Sequence, residues 1–161
     1  MGATAFTWSS LAMQSITLRF LAASSTFTPT GRIPGGTVLR WVDEAGFACA
    51  TAWAKCACVT ERVGAAHFMR SIRPGDLVEV QARLAYTTDT SMCLAIELRS
   101  GGLHGAPLQG VVHCVAMYTA VDADDQPCAV DKWTPETPGD MALAQRVKAH
   151  IDAAQRMPGA Q

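Results

Sequence analysis

A long helix that is apolar on two sides constrains this chain more than any other feature. It is read from about Gly36 to Ala54, entered through the glycine pair Gly35-Gly36. Val38, Val42, Ala45, Cys49 and Ala52 recur at three- and four-residue steps and form one buried stripe. Roughly opposite lie Asp43, Phe47 and Ala50, which do not make a solvent face. Such a helix must be wrapped by a sheet or shared with a second subunit. Asp43, two turns in, is expected deep in the fold, where a carboxylate is costly unless it is paired or used.

The chain around this helix reads as strands. Residues 15–23 place Ile16, Leu18 and Phe20 on one face. After the turn-rich run from Thr26 to Pro34 and the helix, the period becomes two, with strands expected at 58–70, 77–87, 91–100 and 110–121. In the second of these four, Val78, Val80, Ala82, Leu84 and Tyr86 alternate with Glu79, Gln81 and Arg83. In the third, Met92, Leu94, Ile96 and Leu98 form the apolar face. Arg73-Pro-Gly-Asp76 is a turn, and Thr87 to Thr90 close a hairpin. Thr137-Pro-Gly-Asp140 reads as a capping box opening a C-terminal helix with Leu143, Val147 and Ile151 on one face. The segmentation expected is an extension over 1–14, one domain over 15–133, and a helix and tail over 134–161, with Met157 to Gln161 fraying.

Composition narrows the function classes. Of the 161 residues, 49% are hydrophobic and only 17% charged, which favours burial in an oligomer. The net charge is -1, without a basic block, so neither nucleic acid nor an anionic membrane is the expected partner. No apolar run reaches the eighteen or so residues of a spanning helix. Residues 1–14 lack a signal peptide's basic start, so the expected location is cytoplasmic. The cysteines Cys49, Cys56, Cys58, Cys93, Cys114 and Cys128 contain no Cys-x-x-Cys pair. They read as reduced core residues rather than a metal site. No cofactor is expected.

One helix against a single antiparallel sheet of about five strands is the α+β arrangement known as the hotdog fold. With the Gly-Gly-x-x-x-x-x-x-Asp-Glu-Ala helix, the chain resembles the hotdog acyl-CoA thioesterases, in particular the acyl-CoA hydrolase group. Supporting segments are Thr17-Leu-Arg-Phe-Leu-Ala22, Phe68-Met-Arg-Ser-Ile-Arg-Pro-Gly-Asp-Leu-Val-Glu-Val80, Tyr86-Thr-Thr-Asp-Thr-Ser-Met92 and Trp133-Thr-Pro-Glu-Thr137. The likeness spans about residues 15 to 140.

The resemblance implies hydrolysis of acyl-CoA to free acid and CoA, with Asp43 as general base or nucleophile. The physical reading agrees. Free N–H groups at Gly35 and Gly36, at the positive end of the helix dipole, would stabilise charge developing on a thioester oxygen. Relatives carry an Asn where this chain has Thr28, a shorter donor without amide geometry. They also often carry His in place of Pro34, and Gly-Arg in place of Thr88-Asp89. Arg70, with Arg32 and Arg73, is expected along the CoA phosphates, and Thr90 and Ser91 match the family's hairpin pair. His67 and His113 read as structural or pocket-lining. The competing reading for Asp43 is a charge pair with Arg40 or a partner subunit. Assembly into homodimers is expected, and relatives often form tetramers or hexamers. The alternative function is a non-catalytic acyl-CoA-binding or structural hotdog protein. A hydratase or dehydratase is disfavoured, because those enzymes need a loop His beside the helix acid and no His precedes Asp43.

Overall fold

A computed structural model describes residues 14–156. The expectations for residues 1–13 and for the tail at 157–161 lie outside the described residues. In chain order the elements are β1 (Ser15–Leu21), a 3-10 turn (Ser24–Thr26), α1 (Gly35–Ala54), β2 (Ala57–Phe68), β3 (Leu77–Thr87), β4 (Ser91–Gly101), β5 (Gln109–Val121) and α2 (Pro138–Gln155). The five strands form one antiparallel sheet, and α1 contacts all five of them. This is the hotdog arrangement that the sequence implies.

The spatial order is β1-β3-β4-β5-β2. Strands β3, β4 and β5 follow one another as neighbours, but β2 pairs with β5 and forms the far edge. Succession in sequence therefore does not give the neighbour relations of β2. The period-two faces meet α1 as expected. Val78, Val80, Ala82, Met92, Leu94, Ile96, Leu98, Cys114 and Ala116 are buried with Val38, Val42, Ala45 and Cys49 in one core. Trp41 joins them and packs edge-on against Phe20, with ring centroids 4.8 Å apart.

Two burial expectations are corrected. Tyr86 is 40% exposed, because the β3–β4 register slips between Leu84 and Tyr86. The slip sets Tyr86 opposite Cys93, on the other face from Leu84. On the second side of α1, Ala50 is buried but Phe47 is 43% exposed, so within one chain this side is only partly covered.

The start of α2 is built as read. Asp140 N–H donates to Thr137 Oγ1 at 3.1 Å, and Thr137 N–H donates to Asp140 Oδ2 at 3.1 Å. Leu143 and Val147 then pack on Ala85, Cys93 and Ala95, on the outer face of the sheet.

Candidate active site

The helix that carries the acid begins without a side-chain cap. Pro34 occupies the N-cap, and the first helical bond is from Thr37 N–H to the Pro34 carbonyl at 3.0 Å. The N–H groups of Gly35 and Gly36 thus precede the intrahelical ladder. A Cβ on Gly35 would meet the Phe68 ring at 3.6 Å, whereas one on Gly36 would meet nothing within 4 Å. Gly36 faces open space.

Asp43 lies on the wall of a groove of about 480 Å³ between α1 and the edge strand β2, lined by Gly36, Leu39, Arg40, Asp43, Thr60, Val63 and Ala66. The expectation of a deeply buried acid is corrected: Asp43 is half-buried, because its helix face looks toward the sheet edge rather than the sheet centre. Its carboxylate is nevertheless anchored. Thr60 donates its hydroxyl to Asp43 Oδ1 at 2.9 Å, and Tyr118 donates to the same oxygen at 3.1 Å. Thr60 and Tyr118 are directly opposed on β2 and β5, which puts both hydroxyls on the α1 side. Among the described residues no donor meets Oδ2 and no cation pairs with Asp43. Arg40 instead lies 3.9 Å from Glu44, one turn along the helix. The carboxylate is therefore oriented through one oxygen, with the other left for a ligand or water.

A second cavity, of about 320 Å³, opens at the start of α1 and is lined by Arg32, Ile33, Gly35, Val38, Phe68, Met69 and Arg70 among others. Arg70 also borders an adjoining groove with Arg73 and holds the Gln109 side-chain oxygen through Nη1. Arg32, Gly35 and Arg70 are thus brought together. Thr28 is not in either cavity lining. Its hydroxyl is shared with Thr30 at 2.9 Å and donates to the Arg32 carbonyl at 3.0 Å, holding a turn that passes through Gly31 at φ 72°. Thr90 and Ser91 lie at the opposite end of β4 from the Arg70 loop. There Ser91 Oγ meets Thr119 Oγ1 at 2.9 Å, and the Thr90 carbonyl accepts from Ala120. His113 lines a pocket beneath α2 with Arg146 and His150, and neither His67 nor His113 lines the Asp43 groove.

All six cysteines are free thiols. Cys49, Cys58, Cys93 and Cys114 are buried, and burial raises the pKa of each. Among the described residues no cluster of His, Cys, Asp and Glu is arranged to hold a metal. No described helix is long and apolar enough to cross a membrane.

A single long helix laid across a five-stranded antiparallel sheet, with an oriented acid at the sheet edge, defines a hotdog-fold protein. Comparison with known proteins narrows this further. A family model described as the thioesterase superfamily matches residues 30–106. An uncharacterized acyl-CoA thioester hydrolase of Buchnera aphidicola (subsp. Baizongia pistaciae) is 32% identical over 114 residues, covering 68% of this chain and 84% of that protein. The chain belongs to the thioesterase superfamily. Among solved structures, an apo-hexameric acyl-CoA thioesterase superposes with a TM-score of 0.86 at 23% identity, covering 92% of this chain and 96% of that one. The acyl-CoA hydrolase of Staphylococcus aureus, in complex with butyryl coenzyme A and coenzyme A, has a TM-score of 0.82 at 17% identity, covering 89% and 87%. That hydrolase is also solved as variants with an Asp, an Asn or a Thr replaced by Ala.

Tyr118 and Thr60 are the functional candidates that sequence reasoning passes over. They lie 75 and 17 residues from Asp43. Only the inward phase of β5 offered a signal, since it places a polar-tipped Tyr among aliphatic core positions.

Proposed function

We propose that the protein hydrolyses acyl-CoA thioesters to free acid and CoA, with Asp43 as the base. Water gives a proton to Asp43 Oδ2 and adds to the thioester carbonyl carbon. The carbon–sulfur bond then breaks, and the CoA sulfur leaves with the proton. The observation that carries this reading is the half-anchored carboxylate, with Oδ1 engaged by two hydroxyls and Oδ2 free beside an open groove. A direct attack by Asp43 on the carbonyl, giving an anhydride that water then opens, uses the same free oxygen.

Reach decides where the oxyanion donors come from. Gly36 and Asp43 are seven residues apart, or about 10 Å along a helix axis. One carbonyl group does not span that distance, so the two parts serve one thioester only if they come from two chains. The reading therefore includes a homodimer joined through the exposed edge β2, with the Thr28–Gly36 junction of one copy reaching Asp43 of the other. Val59 at 46% and Val63 at 39% exposure on that edge, and Phe47 at 43% on α1, support such a contact. The hexameric relative supports further assembly of dimers. Arg32 and Arg70 would meet CoA phosphates. Thr90 and Ser91 would take part only across an interface between copies.

A second reading, acyl-CoA binding without hydrolysis, is favoured by one observation. The Thr28 hydroxyl is engaged within its own turn. Release of free thiol from a panel of short- to long-chain acyl-CoAs separates the two. Wild type is expected to release CoA, and Asp43→Asn to lose roughly 10²–10⁴-fold in turnover while keeping its fold. Binding without thiol release would select the second reading.

A further inference from the structure

We propose that Tyr118 is a positioning residue for Asp43, fixing the carboxylate in its working rotamer, and that Gly46 is the slot that admits it. The inference rests on the hydrolase reading and concerns a residue that never touches the substrate. Tyr118 is fully buried, yet its hydroxyl reaches the surface of α1 at the one acid facing the groove. It lies 3.1 Å from Asp43 Oδ1 and 3.3 Å from the Asp43 main-chain oxygen, so a single phenol O–H spans the backbone and the side chain of one residue. This is possible because residue 46 has no Cβ. A Cβ there would stand 2.2 Å from the Tyr118 oxygen and 2.7 Å from Ile96 Cδ1.

The chemistry of the phenol suits this task. Burial first, and then the charge of Asp43, push its pKa well above the usual tyrosine value, so it stays a proton donor at any working pH. A donor on Oδ1 has two effects. It removes rotational freedom from the carboxylate, and it leaves Oδ2 as the basic oxygen. Thr60 makes the same bond from the edge strand, where it is exposed within one chain. Tyr118 comes from the buried strand β5 and has no solvent to substitute for it. The expected signature is a loss confined to the chemical step, because orientation of the base matters in the transition state and not in CoA binding.

The test uses the full-length chain and thiol release from butyryl-CoA and palmitoyl-CoA. It compares wild type, Tyr118→Phe, Asp43→Asn and the double variant, with thermal melts alongside. Phe keeps the ring in its packed site and removes only the donor. The inference expects Tyr118→Phe to lower kcat roughly ten- to a hundredfold with KM within about twofold. It further expects the double variant to be no slower than Asp43→Asn alone, because the phenol acts through the acid. A Tyr118→Phe protein with wild-type kcat, beside an inactive Asp43→Asn protein, would overturn the positioning role and leave the hydrolase reading standing. A lower kcat that multiplies with Asp43→Asn would also overturn it, by showing that Tyr118 acts independently. Full turnover by Asp43→Asn, or none by wild type, would remove the hydrolase reading and this inference with it.

Discussion

Thr60 donates its hydroxyl to Asp43 Oδ1 at 2.9 Å from the sheet's edge strand, joining the side chain that faces the groove to the strand that bounds it. This couples the orientation of the acid to whatever covers the edge. Removing the hydroxyl while keeping the branched shape isolates the bond. Thr60→Val is expected to lower kcat for acyl-CoA hydrolysis by roughly tenfold with little change in stability, and Thr60→Ser to recover most of it. Steady-state thiol release across the three proteins checks this.

Position 28 holds Thr where the family resemblance implies Asn. Its hydroxyl holds the Thr28–Arg32 turn, and the Thr28 N–H also donates to the Arg32 carbonyl at 2.8 Å. The backbone bond leaves the turn intact if the side chain changes. Thr28→Asn is expected to raise hydrolysis by roughly ten- to a hundredfold, the worth of a hydrogen bond of about 1–3 kcal/mol made only in the transition state. Equal rates for wild type, Thr28→Asn and Thr28→Val would remove position 28 from the mechanism.

Cys56 and Cys128 are the two thiols in mutual contact. Their sulfur atoms are 3.5 Å apart and part-buried, at the end of α1 and beyond β5. Burial pushes Cys49 and Cys93 up to about 12 and Cys114 to about 11, which leaves those thiols inert. A diazene oxidant such as diamide takes two electrons and two protons from a dithiol. It is expected to join Cys56 to Cys128 ahead of any other pair, and Cys128→Ser to abolish the product. The Cys128 S–H donates to the Cys56 sulfur, which holds the proton and raises the Cys128 pKa, so the reaction should quicken as pH rises. Peptide mapping without reductant reads the linkage.

The α2 capping box gives a pH dependence of known sign. The Thr137 hydroxyl on Asp140 Oδ2, at 2.7 Å, holds the Asp140 pKa below the ordinary aspartate value of 3.8. Arg83 assists at 3.1 Å. A folded-state pKa below the unfolded one stabilises the fold above that ordinary value, and the contribution fades as pH falls through the lowered value. Asp140→Asn should therefore melt a few degrees below wild type at neutral pH. The gap should close as pH falls below about 4. Melts across that range check it, and a gap independent of pH would assign the cap to shape rather than charge.

Much of the local structure was legible in the chain itself because it depends on nearest neighbours. The α1 stripe of Val38, Val42, Ala45 and Cys49, the alternation through β3 and β4, and the Thr137–Asp140 box are decided within a few residues of themselves. Asp43 stood out for the same reason, as one acid on an otherwise apolar face. Tyr86 was misplaced, because a register slip depends on the partner strand and leaves no mark in a period-two pattern.

The sequence alone determined one long apolar helix with its acid, a capped second helix and five strands, three of them with a readable apolar face. Tertiary structure decided that β2 crosses to the far edge beside β5. That pairing sets Thr60 against Tyr118 and aims both hydroxyls at Asp43. The physical reason is that strand pairing and side-chain hydrogen bonds are made between residues distant in the chain. Their geometry is fixed by how the core closes, not by the residues beside them.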